Sequence, residues 1–475
     1  MINDTKQKTS QPFLFNWIIK PGVSILCCLL LSQCQEAGPD KKSPNFIFIL
    51  TDDQGWQGTS VQMDTSRADS RSDYYETPNL ERLAREGMRF SNGYSPAPIC
   101  TPARRSMQFG QTPAQQRGTR FKSEFDAYNG MSIPKMLKSI NPRYVSAHLG
   151  KWSRDVGASP KEVGYYESDG KTNNRTGGTS LGRAKWSKFE AVEDPKLIFS
   201  VTDRAIAFME KHSKARRPFY LQISHYAVHV DVQARQETID KYQDKATGEI
   251  HQIPAFAAMT EDLDTGIGLI LDKVKELGIS GNTYIFFASD NGAVPWVPPD
   301  MKKQFAYPME VGRPSRNYPL RNGKWSLFEG GLRVPIIVKG PGIKANSICE
   351  VPVVAWDFLP TFCDLADSTK RLPENLDGGS MRMLLENAGK GEVKRSYEGL
   401  VFHAPFSKPP HSAIRLGDFK LLKFWEEKKL LLFNLKDDIG EKNDLAPSMP
   451  EKVKLLNNKL MTYLREVNAE IPESQ

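Results

Sequence analysis

Cys100 opens the segment with the most chemistry in it, Pro96-Ala-Pro-Ile-Cys-Thr-Pro-Ala-Arg-Arg105. Pro102 suits the first turn of a helix, which puts Cys100 at a helix N-terminus. The partial positive charge and free amides there favour a bound oxyanion. Arg104 follows one turn later, and its planar guanidinium fork is shaped to hold oxyanion oxygens. Two acidic segments supply the complement. Asp52-Asp53 and Asp290-Asn291 offer only oxygen ligands, a set that suits a hard cation, Ca²⁺ or Mg²⁺, better than Zn²⁺. The number of oxygens, one of them from Asn, leans towards Ca²⁺. Taken singly, Asp-Asp and Asp-Asn-Gly are also ordinary turn or capping residues, so their placement has to decide.

The elements that must position these residues read as strands alternating with helices. Residues 45–50 form a continuous apolar run of strand length, as in a parallel strand buried on both faces, and Asp52-Asp53 come directly after it. Similar runs cover 144–149, 219–224, 284–289 and 334–338. The first of these leads into Gly150-Lys151-Trp152, the second into His225 and His229, and the third into Asp290-Asn291-Gly292. Thr77-Pro78 opens a helix that Gly87 ends, and further helical patterns cover 132–140, 197–212 and 255–277. This alternation predicts an α/β domain with a mostly parallel sheet covered on both faces. Ligands bind beyond the carboxyl ends of such strands, the edge to which the carboxylates, lysines and imidazoles are delivered. Near the C-terminus, runs at 412–416, 419–424 and 430–434 predict a small antiparallel sheet, followed by a helix over 450–467. The segment 367–394, rich in Gly, Asp and Lys, is the expected join. The expected division is a catalytic domain over 44–394 and a sheet-and-helix subdomain over 395–475.

Cys100-Thr-Pro-Ala-Arg104 matches the Cys-x-Pro-x-Arg signature of the type I, formylglycine-dependent sulfatases, in the alkaline phosphatase-like superfamily, which the chain resembles. Pro44-Asn-Phe-Ile-Phe-Ile-Leu-Thr-Asp-Asp53 is similar to that family's first strand and metal motif, and 77–87 to its next helix. Asp290-Asn-Gly292 and Gly323-Lys-Trp-Ser-Leu-Phe-Glu-Gly-Gly-Leu-Arg-Val-Pro335 look like its second metal motif and catalytic-lysine segment. Residues 413–422 resemble its C-terminal sheet, and the likeness runs in family order from about Pro44 to Leu445. It implies a large mixed, mostly parallel sheet with a small C-terminal antiparallel sheet, and hydrolysis of sulfate esters. In that scheme a maturase converts Cys100 to formylglycine. One hydroxyl of the aldehyde hydrate attacks sulfur, and the other later expels sulfate. The resemblance gives Asp52, Asp53, Asp290, Asn291 and residue 100 to the cation. It implies that Arg104 braces the hydrate, that Lys151 and Lys324 clamp the sulfate, and that His229 protonates the leaving alcohol. Two departures stand out. Gly150-Lys-Trp-Ser153 carries Ser where the family has a His assigned to proton transfer, with His148 and His225 as nearby substitutes. His229-Val-Asp-Val-Gln233 stands where His-Thr-Pro is common.

Composition bounds the rest. Across 475 residues, 39% hydrophobic content supports a sizeable core and excludes global disorder. A net charge of +8 suits a polyanionic partner, but the basic residues are scattered and no nucleic-acid motif accompanies them. A sulfated polysaccharide or oligosaccharide is the expected substrate. Lys6, Lys8 and Lys20 precede an apolar run at 23–31, which reads as an export signal over 1–34, too short to span a bilayer. Cys34 stands where a bacterial lipoprotein is cleaved and acylated, with a polar tether over 35–43. Periplasm or cell surface, with a membrane tether through Cys34, is the expected location. Cys27, Cys28 and Cys34 belong to the signal, and the remaining three, Cys100, Cys349 and Cys363, argue against a disulfide framework. Cys363 reads as a core thiol. Trp296, Arg313, Arg316, Tyr318 and Trp325 are candidate sugar contacts, or simply loop packing. The competing readings are a phosphodiesterase or phosphonate hydrolase of the same superfamily, and a glycan-binding pseudoenzyme motivated by Ser153.

Overall fold

Eight strands build the central sheet: β1 (Asn45–Thr51), β2 (Met88–Phe90), β3 (Val145–Gly150), β4 (Glu167–Ser168), β5 (Phe219–Ser224), β6 (Thr283–Ser289), β7 (Ile336–Lys339) and β8 (Ser347–Cys349). The computed structural model describes residues 43–153, 156–179, 189–296, 315–367 and 372–472, so the expected export signal, Cys34 and Arg313 lie outside it. The strands lie in the order β8-β2-β7-β6-β1-β5-β3-β4. At the centre, β1 runs parallel to both neighbours, with Phe48 opposite Gln222 on one side and Phe286 on the other. β3 extends the parallel set beyond β5. β7 is antiparallel to β6 and β2, which makes the sheet mixed.

Alternation along β1 explains its unbroken apolar run. Successive side chains point to opposite faces, and each face has its own core. Ile47 and Ile49 join Leu80 and Leu83 of α1 (Pro78–Glu86), with helices Ile198–Lys214 and Pro254–Glu276 packed on the same side. Phe46, Phe48 and Leu50 join Ala103 and Met107 of α2 (Cys100–Phe109), with helices Ile133–Ile140 and Phe358–Leu365 on the other. Helices therefore cover both faces, as the sequence predicts. Cys363 is buried in the second core, and Cys100, Cys349 and Cys363 are all free thiols.

The C-terminal sheet has four antiparallel strands, β9 (Leu400–Ala404), β10 (His411–Leu416), β11 (Phe419–Phe424) and β12 (Lys429–Asn434). Helix Pro450–Glu466 covers one face through Leu456 and Leu460 against Ile414, Leu421 and Leu432. The other face, with Ala413, Leu422 and Phe433, packs on Leu327, Phe328 and Trp356. The sequence reading omits β9, and it places β7 two residues early. It also misses β2, β4 and β8, which are too short to leave a period. Met381, Leu384 and Leu385 of the expected join are buried in the main core. Among the described residues, no helix is long and apolar enough to cross a membrane.

Candidate active site

β1, β3, β5 and β6 all end on one edge, and the polar residues that follow them meet there. Three bonds fix the strand ends to one another. Asp290 N donates to Thr51 O at 3.1 Å, Asp52 N to Ala227 O at 2.9 Å and Lys151 N to Ser224 O at 2.7 Å. Gly150 turns the chain at the end of β3 with φ +89°, and a Cβ there would meet Ser224 O at 2.1 Å. Gly292 does the same service after β6, since a Cβ would lie 1.9 Å from Gly330 O. That close approach brings the Gly323–Gly331 turn, and with it Lys324, against the sheet edge.

The expected acidic residues converge. Carboxylate oxygens of Asp52, Asp53 and Asp290 lie within 4.8 Å of one another, and all three residues are buried. Asp53 holds a left-handed φ of +60°, a strained conformation that aims its carboxylate inward. Its amide donates to Asp290 Oδ1 at 3.1 Å, and Asn291 Nδ2 donates to Asp53 Oδ1 at 2.7 Å. Three cations ring the acids. Arg104 donates from Nε to Asp290 Oδ2 at 2.7 Å and from a terminal nitrogen to Lys151 O at 2.7 Å. Lys151 Nζ donates to Asp52 Oδ2, and Lys324 Nζ to Asp53 Oδ2 at 2.6 Å. His229 Nε2 lies 3.7 Å from Asp53 Oδ2. Cys100 begins α2, and both Arg104 and Lys324 are near enough to interact with it electrostatically. The expected metal and catalytic residues, Asp52, Asp53, Asp290, Asn291, Cys100, Arg104, Lys151, His229 and Lys324, thus lie together at this edge.

The electrostatics follow from burial against charge. Burial alone would raise Asp52, but Lys151, His229, Arg104 and Lys324 hold it well below the usual carboxylate range. Burial, reinforced by Asp52, pushes Asp290 up to about 6. Burial and then the neighbouring Lys324 push His229 down to about 3, so its imidazole is neutral near pH 7. Against the cost of burial, Asp53 and then Cys100 keep Lys324 well above the ordinary lysine value. A hard cation fits this set on chemistry. The donors are all oxygens, and buried Asp52 Oδ1 and Asn291 Oδ1 have no hydrogen-bond partner. Buried polar atoms seldom go unpaired without a reason.

The sequence's other candidates divide. Ser153 is buried beside the cluster with φ +104°, and its hydroxyl meets Thr101 Oγ1 at 2.5 Å. His148 is buried and packs edge-on against Trp152, while His225 is fully buried and both its ring nitrogens lack a partner. Trp296 is buried, and Arg316 lies over the Phe256 ring at 3.6 Å, so both serve loop packing. Tyr318 is 39% exposed. Sequence reasoning misses Asn174, whose Nδ2 lies 3.1 Å from His229 Nε2. A Thr-Asn-Asn-Arg turn carries no signal for that contact.

The sulfatase family's sequence model matches residues 44–368, more than half of the chain. The chain belongs to the sulfatase family. That family lies within the alkaline phosphatase-like superfamily. A second model, for the C-terminal region of N-sulphoglucosamine sulphohydrolase, matches residues 322–470. This sulfatase is 27% identical to a sulfatase of Formosa agariphila over 98% of its own length and 95% of the relative's. It is 28% identical to the N-acetylgalactosamine-6-sulfatase of Canis lupus familiaris over 70% of its own length, but spans only 64% of that enzyme. Among solved structures, Ps i-CgsB in complex with k-i-k-neocarrahexaose matches with a TM-score of 0.71 at 24% identity. The alignment covers 91% of this chain and 94% of that one, a likeness of fold.

Proposed function

We propose that this sulfatase removes sulfate from a sulfated carbohydrate, at a centre made of residue 100 as formylglycine and a divalent cation, with Ca²⁺ favoured over Mg²⁺. The observation that carries the reading is the convergence of Asp52, Asp53 and Asp290 with Arg104, Lys151 and Lys324 at one buried sheet edge. The likeness to an N-acetylgalactosamine-6-sulfatase and the net charge of +8 support a carbohydrate substrate. Asp52, Asp53, Asp290 and Asn291 would hold the cation, with residue 100 beside them. When bound, the cation would supply Lewis-acid polarisation, and the formylglycine hydrate an oxygen nucleophile in place of a thiol.

The rest falls to the chain's own side chains. Arg104, fixed by Asp290 and by Lys151 O, braces the residue that begins its helix. Lys151 and Lys324 bring positive charge to the sulfate oxygens as charge builds on them, and burial strengthens that effect. His229 faces the leaving oxygen and carries its proton. Export to the periplasm or cell surface, a tether through Cys34 and the 394/395 domain division belong to the same proposal.

The test is the intact mass of the Cys100 peptide after expression with and without a formylglycine-generating maturase, alongside sulfate release from sulfated glycans. An aldehyde mass that rises with activity is the expected result. Full activity of purified Cys100→Ala would refute the mechanism. Phosphate-ester turnover exceeding sulfate-ester turnover would favour the phosphodiesterase reading instead.

A further inference from the structure

Residues 172–179 form a loop that belongs to no recognised motif, yet it ties two parts of the site together. Thr172 accepts from Trp152 N at 2.9 Å through its hydroxyl and from Ser153 N at 3.1 Å through its carbonyl, and its hydroxyl donates to Gly150 O. Those bonds hold the Lys151 segment. At the loop's other end, Thr179 Oγ1 donates to Val230 O at 2.9 Å, and His229 Nδ1 is bonded to the same carbonyl. Between them Asn174 Nδ2 reaches His229 Nε2 at 3.1 Å.

This arrangement dictates where the imidazole carries its proton. A carbonyl oxygen only accepts, so the ring nitrogen facing Val230 O must be protonated. Nε2 is then the nitrogen turned towards Asp53 and the reacting centre, and in the neutral ring it is a bare acceptor. An asparagine amide suits that nitrogen in either state: Nδ2 donates to a bare Nε2, and after a half-turn Oδ1 accepts from a protonated one. Asn174 Oδ1 is buried and has no other partner, so the half-turn breaks nothing. Behind Thr179 stands Lys196, which is 1% exposed, holds a left-handed φ of +53° and donates to Thr179 Oγ1 at 3.2 Å. A cation on the hydroxyl oxygen strengthens that hydroxyl's own donation onward.

We propose that Asn174 and the Lys196–Thr179 pair are positioning residues that keep the His229 Nδ1–H on Val230 O. Nε2 is then the nitrogen that takes a proton from solvent to form the imidazolium, gives that proton to the leaving oxygen and leaves the ring again as the Nδ1–H tautomer. The proposal rests on the sulfatase reading of His229. Its signature is dependence on the leaving group, because an activated aryl sulfate departs without a proton whereas a sugar or alkyl sulfate needs one.

Asn174→Ala and Thr179→Val are assayed on 4-nitrophenyl sulfate and on a monosaccharide sulfate that the wild type cleaves. The expected loss in kcat on the sugar sulfate exceeds the loss on the aryl sulfate by about tenfold or more, and Thr179→Ser restores the wild-type ratio. Equal losses on both substrates would reduce these residues to structural supports and overturn the proposal. Histidine-selective ¹⁵N NMR gives a readout independent of turnover. Wild type should show His229 protonated at Nδ1 alone, and Thr179→Val a mixture of tautomers. A single unchanged tautomer in Thr179→Val would also overturn it. A wild type that cleaves no sulfate ester yet keeps the Nδ1 tautomer would sink the functional reading and leave the positioning intact.

Discussion

Two clusters of buried charge sit in this molecule, and they are finished differently. One joins the C-terminal sheet to the catalytic body. Lys420 Nζ lies 2.8 Å from Glu329 Oε1 and 2.9 Å from Glu441 Oε1. Glu329 Oε2 takes Tyr94 at 2.6 Å and Arg333 at 2.7 Å, and Glu441 Oε2 takes the Glu329 amide at 2.6 Å. Each of these carboxylate oxygens faces a cation or a donor. The other cluster is the sheet-edge site, where Asp52 Oδ1, Asn291 Oδ1 and one Arg104 nitrogen are buried with no hydrogen-bond partner. Burial and charge type are alike, so neither marks function by itself. The number and kind of unpaired atoms do: the closed cluster leaves one, Glu441 Oε1, which still faces the Lys420 ammonium at 2.9 Å, while the open one keeps two oxygens for a cation and a nitrogen for an anion.

Substitution should separate the two. Asp290→Ala in the open cluster should cut kcat by about 10³-fold or more, read as sulfate release, while the chain still folds by circular dichroism. Lys420→Met in the closed cluster should do the reverse. It strands two buried carboxylates and should cost about 3–5 kcal/mol of stability in urea unfolding, with kcat per folded molecule nearly unchanged. Comparable activity losses in both variants would erase the distinction. Added Ca²⁺ sharpens it further. At a hundredfold excess over Kd, the cation should stabilise the wild type by about 2.7 kcal/mol, measured as a rise in Tm that EDTA reverses. Asp53→Asn should lose that response, and Lys420→Met should keep it.

The open cluster was legible in the sequence, whereas the closed one was not. Asp52, Asp53, Asp290 and Asn291 each follow an apolar run, and a parallel sheet gathers whatever follows its strands. Lys324 was legible only by resemblance, because its place depends on the close approach of Gly292 to Gly330. Lys420 and Glu329 stand 91 residues apart, and nothing local marks either as buried: Lys420 reads as an ordinary solvated lysine in an antiparallel strand. Asn174, Thr179 and Lys196 fail for a related reason. They are lone polar residues outside any period, and tertiary contacts alone assign them work. Trp296 and Arg316 stayed open between two readings, since aromatic and basic loop residues look alike whether they grip a ligand or pack a loop. The second family model, over 322–470, runs through the Lys324 turn and the C-terminal sheet together, the same pair that the closed cluster joins.

Ser153 gives the smallest and most local test of completeness. If the family's histidine were simply absent, the site would be an imidazole short, and Ser153→His would restore activity. The geometry argues otherwise. Ser153 is buried, takes φ +104° and places its hydroxyl 2.5 Å from Thr101 Oγ1. Thr101 is the neighbour of Cys100, so that contact fixes the first turn of α2 beside the acids. An imidazole there must displace Thr101 or shift the Lys151–Ser153 turn, and overpacking of this kind costs about 1–3 kcal/mol. We expect Ser153→His to lower kcat by about ten- to a hundredfold and to lower Tm as well. Ser153→Ala, which removes only the hydroxyl contact, should cost less than tenfold in kcat. A gain of activity in Ser153→His would mean that the edge of the site beside Thr101 is open after all, and that the proton path assigned to this chain lacks a member.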